Sequence, residues 1–498
     1  MRARIEHAFA DGTEWVELRL DHLEPGVKPS EVAEILSNVR AGPWIVTLRS
    51  ADEGGACHAP TETRLAFLLE ATDDRAGWID FEYRASKAEP CEGMAKIHNG
   101  KSPAGERRWI LSFHDFQELP HDVSALAREI VAARPGTIAK VAWWGRGLSD
   151  NIAAFQAMRA VGERLIAVVM GEAGLPSRVL AKKFGAAATY CALSSGAETA
   201  PGQVTLDEML HEYRWGAIGP ATKVFGVLGD PVRHSMSPML FNRMFDRAGI
   251  DAVYLPLLVA GGESELGAFL EHAEHHDWLD AGGFSVTLPY KRAACRFVES
   301  RVEPLAARID AVNTLVRRDG QFHGYNTDYA GALDALCHGL NCARPDLRGL
   351  NVDVLGAGGA TRAVVAGLTD CGCAVTLFNR TRTSAVALAK EFGCRSAPWE
   401  TRVRRRGRVV INCTPLGMAP HAADLPLPAE ALGDRPVVFD MVYNPAETRL
   451  LREAKQAGCV TIDGVEMFVR QAAGQYRLWF GETPDVQRMR DIVSQALA

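Results

Sequence analysis

Asn351-Val-Asp-Val-Leu-Gly356-Ala357-Gly358-Gly359-Ala360-Thr-Arg-Ala363 runs from a short apolar strand through a glycine turn into a helical stretch. Glycines at such a turn let the backbone approach a pyrophosphate. The helix N-terminus adds free N–H donors and the positive end of its dipole. Ala360-Thr361 stands where a third glycine is usual, so a purely structural turn is the competing reading of this string alone. The next strand tips the balance. It ends Leu377-Phe378-Asn379-Arg380-Thr381-Arg382, without the carboxylate that would bind a ribose 2′-hydroxyl. A guanidinium there suits a 2′-phosphate by bidentate pairing, which predicts NADP over NAD.

Outward from this turn, strands are expected at 374–378, 409–412 and 437–441, and a helix at 465–480. Upstream, a new α/β pattern begins at Val224 after a loop at 216–220 and continues to about residue 335. The arginines at 402, 404, 405, 406 and 408 read as a solvated loop before the next strand, with an anion or partner patch as the alternative.

The first 215 residues alternate short apolar strands (15–21, 44–49, 78–82, 109–114, 138–142, 165–170, 187–191) with helical stretches such as 30–40, 61–71 and 123–134. Repeated β–α units predict a parallel sheet, open or closed into a barrel. Glu17, Arg19, Arg49, Glu82, His114 and Lys140 lie within or at the C-terminal ends of these strands, where barrel active sites form.

Composition narrows the classes. The chain has 498 residues, 47% apolar and 23% charged, which predicts two to four folded domains and excludes wholesale disorder. A net charge of −6 disfavours a dedicated nucleic-acid or anionic-membrane binder. No apolar run reaches a membrane-spanning length of about 18 residues, and the N-terminus has no apolar signal region, so a cytoplasmic protein is expected. The 11 cysteines are odd in number, and Cys371-x-Cys373 has the wrong spacing for zinc, so reduced thiols and no metal are expected.

Several strings downstream of residue 223 resemble shikimate dehydrogenases. Gly229-Asp-Pro-Val-Arg-His-Ser235-Met-Ser237-Pro is similar to their shikimate-binding signature, and Phe284-Ser-Val-Thr287-Leu-Pro-Tyr-Lys291 to their N-V-T-x-P-x-K string. Ala311-Val-Asn313, Gly324-Tyr-Asn-Thr-Asp328, Asn412-Cys-Thr414, Asp440-Met441-Val-Tyr443 and Gly464-Val-Glu-Met467-Phe-Val-Arg-Gln471 continue the series. The chemistry agrees: a polyhydroxylated acid needs hydroxyl and amide partners, and hydride transfer to a ketone builds an alkoxide that must take a proton. The resemblance implies Lys291 and Asp328 at that oxygen. It implies Ser235, Ser237, Thr287, Asn313, Tyr443 and Gln471 on the substrate. For NADP it implies Gly356 to Ala360, Asn379 to Arg382, Thr414, Met441, Gly464 and Met467. Two positions depart from the family: Ser285 replaces the usual Asn, and Ser384 replaces an Arg for which Arg382 is the substitute.

The first half resembles type I 3-dehydroquinate dehydratases. Glu17-Leu-Arg19-Leu-Asp21, Arg49-Ser-Ala-Asp-Glu53-Gly-Gly, Ser112-Phe-His114, Ile138-Ala-Lys140, Met170-Gly-Glu-Ala-Gly-Leu-Pro-Ser-Arg178 and Ala200-Pro-Gly-Gln203 match their blocks in order. A lysine inside a barrel strand, away from water, is expected to favour its neutral form and attack a ketone. The resemblance implies Lys140 as the imine-forming nucleophile and His114 as general base and acid. Glu53 orients the imidazole, Arg49 and Arg178 grip substrate, and Glu17, Arg19, Thr199 and Gln203 bind hydroxyls or support that shell. A plain salt bridge of Lys140 with Glu82 is the structural alternative. Thr199 stands where Ser is usual, and Trp143-Trp144 where smaller residues are common.

Together these imply a (β/α)8-type barrel over 1–216, then a two-lobed α/β dehydrogenase. Its substrate lobe is expected at 222–335, a Rossmann NADP domain at 336–463, and helices at 464–498 returning to the substrate lobe. Only about a dozen residues precede the Glu17 strand, and 4–10 reads as a helix, so the first barrel strand is expected to be missing here. The implied activities are dehydration of 3-dehydroquinate and NADPH-dependent reduction of the product to shikimate. The rivals are a degenerate barrel beside a working shikimate or quinate dehydrogenase, and a non-catalytic sensor of these acids.

Overall fold

In the computed structural model, residues 2–39, 42–72, 77–88 and 108–497 are described. Candidate helix 30–40 therefore ends outside them: the described helix is Pro29–Ser37. The chain divides into two units, residues 1–222 with 259–261, and residues 223–258 with 262–498.

The first unit is built on six strands: β1 Val16–Arg19, β2 Trp44–Thr47, β3 Trp78–Glu82, β4 Arg108–Asp115, β5 Ile138–Trp144 and β6 Leu165–Met170. They lie side by side in chain order, all parallel. Helices Thr61–Thr72, Val123–Ala133 and Asp150–Val161 alternate with them, and helix Arg2–Ala10 precedes β1. The side-chain period of two sets the inner face. Ile45, Ile110, Ile138 and Ile166 form an apolar floor. Asp80, Glu82, Ser112, His114 and Lys140 follow it on the same face toward the strand C-termini. Glu17 on β1 and Lys140 on β5 are four strands apart, roughly 19 Å in a flat sheet. Their charged atoms are 3.7 Å apart, so the sheet curls into a half-barrel.

One strand expectation is corrected. Residues 187–191 form no strand. Ala187 N–H still bonds Leu165 C=O at 2.9 Å, but the chain then leaves β6. Ala192 exchanges its backbone bonds with Val204 and Leu206 instead, so its ladder groups are taken by a loop.

The second unit contains two sheets. The first holds β7 Lys223–Gly229, β8 Ala252–Leu258, β9 Ala281–Val286, β10 Thr314–Arg318 and β11 Gln321–Tyr325, in the order β11-β10-β9-β7-β8. Here β10 runs antiparallel to both neighbours, so this sheet is mixed. The hairpin turn is Asp319-Gly320, both with positive φ (49° and 80°), the geometry that matches strand twist in a two-residue turn.

The second sheet holds β12 Asn351–Leu355, β13 Ala374–Asn379, β14 Arg395–Pro398, β15 Val409–Asn412, β16 Val437–Asp440 and β17 Thr461–Ile462. All are parallel in the order β14-β13-β12-β15-β16-β17. This is the doubly wound arrangement, and the order in which strands are added reverses between β12 and β15, where a ligand crevice opens at the strand C-termini. Helix Gly464–Phe480 does not stay with this sheet. Val465, Phe468, Val469, Ala472 and Tyr476 share a core with Phe225, Phe241, Phe245 and Tyr254 of the first sheet's layer. Removing a ring such as Phe241 from that core costs about 3–5 kcal/mol.

The arginine run is only partly solvated. Arg405 is buried and bonds Asp434 and the Gly407 carbonyl, and Arg402 lies over the Trp399 ring at 4.0 Å. Arg404, Arg406 and Arg408 are exposed.

Candidate functional sites

On the inner face of the half-barrel, Lys140 Nζ lies 3.0 Å from Asp80 Oδ2 and 3.7 Å from Glu17 Oε1. The residue is 7% exposed, as a strand lysine should be. Carboxylates surround its amine. Its acid partners are Asp80 and Glu17, and Glu82 instead pairs with Arg64 at 2.7 Å. Arg49 donates to Asp80 Oδ1 and Ser112 Oγ, both at 2.6 Å, and Ser112 Oγ donates to Asp80 Oδ1 at 2.6 Å. Burial pushes the Asp80 carboxyl upward, but Arg49 and Lys140 more than reverse this and hold it well below the usual range. Asp80 and Ser112 were not singled out by the motifs. The alternation Trp78-Ile-Asp80-Phe-Glu82 carried the signal, since it puts both acids on one face.

His114 Nδ1 lies 2.9 Å from Glu53 Oε2, which also accepts the His114 backbone N–H at 3.1 Å. Burial drives both groups toward their uncharged forms. It raises the Glu53 carboxyl to about 7, and with Arg49 and Lys140 nearby it lowers His114 well below its ordinary value. Arg19 forks onto Asp21 at 2.8 and 2.9 Å. Glu17 accepts from Thr47 Oγ1 at 2.6 Å.

Arg178, Thr199 and Gln203 form a second group around Pro201. Gln203 Oε1 accepts the Thr199 N–H at 2.8 Å. Arg178 is 1% exposed, with one weak bond to the Pro201 carbonyl at 3.5 Å and an Nε without a partner among the described residues. Burial lowers its pKa to about 10. A guanidinium held out of water without an acid is costly, and an incoming carboxylate relieves that cost.

In the second unit, Lys291 begins helix Lys291–Val298, Asp328 begins helix Asp328–Leu340, and Lys291 Nζ lies 2.5 Å from Asp328 Oδ2. Asn313 Nδ2 donates to Asp328 Oδ1 and Thr327 Oγ1, both at 2.9 Å. These residues line a cavity of about 140 Å³ together with Ser235, Ser237, Thr287, Tyr443, Gln471, Ala360, Met441, Gly464 and Met467. Every substrate-facing candidate of this half thus lines one cavity. Ser285, Gln475 and Phe468 join them without having been singled out for it. Ser285 accepts from Tyr254 O–H at 2.6 Å and donates to Gln475 Oε1 at 2.9 Å, and Gln475 donates to the Asn313 carbonyl at 3.2 Å. The shorter serine thereby ties β8, β9 and helix Gly464–Phe480 into one hydrogen-bonded chain.

The turn Gly356-Ala357-Gly358-Gly359 leads into helix Gly359–Asp370. Gly356 has φ +115°, a conformation L side chains rarely adopt, and a Cβ on Gly358 would meet nothing within 4 Å. Thr414 lies just beyond β15, bonded to Asn412 Oδ1 at 2.6 Å. Asn412 in turn donates to Asp440, whose carboxyl burial raises to about 6. Beyond β13, Arg380, Thr381 and Arg382 are exposed, and among the described residues neither guanidinium has an acid partner. A glycine cradle, a free helix N-terminus and two unpaired guanidinia fit a phosphorylated dinucleotide. Gly464 has a packing reason as well: a Cβ there would lie 2.3 Å from the Val442 carbonyl oxygen.

Comparison with known proteins finds two enzyme families along the chain. Residues 1–219 match the type I 3-dehydroquinase family, 227–315 the shikimate dehydrogenase substrate binding domain, and 464–493 the shikimate 5′-dehydrogenase C-terminal domain. The chain is 35% identical over 486 residues to a chloroplastic bifunctional 3-dehydroquinate dehydratase/shikimate dehydrogenase of Arabidopsis thaliana, covering 94% of this chain and 78% of that one. It is 41% identical over 285 residues to a shikimate dehydrogenase (NADP(+)) of Methanosarcina mazei, covering 55% and 99%. Among solved structures, a shikimate dehydrogenase in complex with NADP+ matches with a TM-score of 0.52 at 34% identity, over 56% of this chain and 98% of that one. The Thermus thermophilus enzyme in complex with NADP(H) and shikimate matches with a TM-score of 0.50 at 37% identity, over 55% and 100%.

Proposed function

The chain belongs to the bifunctional 3-dehydroquinate dehydratase/shikimate dehydrogenase family, and from that premise we propose which of its residues carry each step. Its activities are dehydration of 3-dehydroquinate to 3-dehydroshikimate and NADP-dependent reduction of that ketone to shikimate. We assign 1–216 to the dehydratase, 222–335 to the substrate lobe, 336–463 to the coenzyme domain and 464–498 to helices returning to the substrate lobe.

In the dehydratase, Lys140 Nζ attacks the ring ketone and water leaves, giving an imine. The imine acidifies the neighbouring C–H. Neutral His114 takes that proton, with Glu53 fixing its ring, and returns it to the departing hydroxyl as a second water. Hydrolysis of the imine consumes one water and frees Lys140, so the net change is loss of one water. Arg49, Glu17, Arg19, Thr199 and Gln203 hold the hydroxyl-bearing ring. Arg178 takes its carboxylate, which its lack of an acid partner among the described residues supports.

In the dehydrogenase, bound NADPH supplies a hydride to the ketone carbon. Lys291, held by Asp328, gives the proton to the developing alkoxide. Ser235, Ser237, Thr287, Asn313, Tyr443 and Gln471 exchange hydrogen bonds with ring hydroxyls and carboxylate. Gly356 to Ala360 and Thr414 cradle the pyrophosphate, Arg380 and Arg382 with Asn379 and Thr381 take the 2′-phosphate, and Met441, Gly464 and Met467 flank the nicotinamide. Ten described cysteines are unpaired, which supports a reducing compartment, and we place the enzyme in the cytoplasm with 3-dehydroquinate, 3-dehydroshikimate and shikimate as its small-molecule partners and neither nucleic acid nor membrane among them.

The observation that carries this reading is the Lys291–Asp328 pair beside the dinucleotide turn in the same chain as the buried Lys140–Asp80 cluster. Among the described residues the half-barrel sheet has six strands rather than eight, which supports the rival in which only the dehydrogenase turns over. One mixture separates them: protein, 3-dehydroquinate and NADPH, followed by coenzyme absorbance and shikimate formation. Shikimate should accumulate as coenzyme is consumed. Consumption only when 3-dehydroshikimate is added would leave the dehydrogenase alone standing.

A further inference from the structure

One polar group beside Lys140 has no role in the mechanism above. Tyr190 lies on the extended segment after β6, in no ladder, and its ring centroid is 4.3 Å from Lys140 Nζ. The residue as a whole is part-exposed, but its hydroxyl oxygen is shut off from solvent and has no hydrogen-bond partner among the described residues. Buried hydroxyls in native proteins are nearly always paired, and an unpaired one destabilises the fold. A phenylalanine would pack the same ring against Lys140 without that cost, so packing alone does not account for the oxygen.

The surroundings say what the hydroxyl awaits. Burial, with the Glu17 and Asp80 carboxylates next in weight, holds the phenol protonated far beyond the ordinary tyrosine range, and Arg49 and Arg19 act on it as well. It is therefore a neutral O–H donor in the same field as the groups around Lys140. A ligand with ring hydroxyls brings the acceptor the free pocket lacks. Lys140 Nζ lies 4.3 Å from the Tyr190 ring centroid, so a polyhydroxylated ring held on Nζ is brought beside this side chain.

We propose that Tyr190 is a substrate-binding residue of the dehydratase, its O–H donating a hydrogen bond to a ring hydroxyl of the substrate held on Lys140. This rests on the imine reading of Lys140 given above. The test is Tyr190→Phe in the full-length protein, which removes one oxygen and keeps the ring. A neutral hydrogen bond is modest, so KM for 3-dehydroquinate rises about three- to tenfold, with kcat changed by less than about twofold. The melting midpoint stays level or rises, because an unpaired buried hydroxyl has gone. The borohydride-trapped adduct on Lys140 still forms at saturating substrate, and kinetics with 3-dehydroshikimate and NADPH do not move. An unchanged KM overturns the proposal, and so does a lowered melting midpoint with kcat and KM both altered, which marks a packing role. Failure of the imine reading has a different signature: no Lys140 adduct in the unsubstituted protein, whatever Tyr190→Phe does to KM.

Discussion

Around Lys140 four other charged side chains, Asp80, Glu17, Arg49 and Glu82, meet through contacts of 2.6 to 3.7 Å. Around Lys291 the cavity is lined by serines, threonine, tyrosine and carboxamides, and among the described residues Asp328 is the one carboxylate on it. On the proposed assignment both pockets take closely related ring acids, so the contrast lies in the reaction rather than in the molecule recognised. Making and breaking an imine moves protons at several atoms, and a dry network of paired charges stabilises each charge as it appears. Reduction develops one negative charge on one oxygen. A single lysine–carboxylate pair answers it, and neutral groups read the hydroxyls.

The contrast can be broken from either side. Lys140→Ala should reduce dehydration by roughly 10⁴-fold or more, since an essential nucleophile has no substitute, and should leave 3-dehydroshikimate reduction intact. Formation of the enone product read by ultraviolet absorbance checks the first half, and loss of coenzyme absorbance the second. Asp328→Asn keeps the cavity shape and should lower reduction by roughly 10²- to 10³-fold while sparing dehydration. Equal loss of both activities would contradict separate sites.

Two smaller effects sharpen the comparison. Arg380→Ala should weaken NADPH by about ten- to a hundredfold, the range for charge-assisted hydrogen bonds, and barely touch NADH. Parallel weakening in coenzyme titrations would undo the 2′-phosphate assignment. The smallest effect expected is on pH. Glu53 has its pKa raised to about 7, so it is ionised above that pH and accepts the His114 Nδ1–H, leaving Nε2 bare as the base. Below pH 7 it takes up a proton and this support is lost. Dehydration at pH 6 should therefore run at about one-tenth of its plateau, the slope of a single protonation. Glu53→Gln should abolish that limb, and reduction of 3-dehydroshikimate should not show it.

Legibility in the sequence followed the physics of each element. The inner strands of the coenzyme sheet were readable as plain apolar runs, 409–412 coinciding with the fully buried β15, whereas the edge strands β14, with its ends exposed, and β17, only two residues long, were missed; the helix expected at 465–480 begins one residue earlier. Helix 4–10 was visible and starts at Arg2. The antiparallel β10–β11 hairpin was missed although Asp319-Gly320 is a strong two-residue turn signal, because the surrounding α/β rhythm suggested another crossover. Residues 187–191 resemble a strand in composition, but no local pattern could reveal that Ala192 pairs with Val204 and Leu206. In the sites, groups carried by sequence strings were found. Asp80, Tyr190, Tyr254 and Gln475 were not, because their importance comes from partners distant in the chain, such as Gln475 with Ser285. Lys140 lies within its strand, and the acids it meets are Asp80 and Glu17 rather than the alternative partner Glu82, since register decides which acid a buried amine meets.

Arg380 and Arg382 stand in open solvent, so the pull proposed for them on a 2′-phosphate is screened by dissolved ions, over a Debye length of about 8 Å at physiological ionic strength. The choice between the two nicotinamide coenzymes is then a property of the medium as well as of the protein. It is widest in dilute buffer and narrows as salt is added, while the shielded chemistry at Lys291 and Lys140 stays indifferent to the same titration.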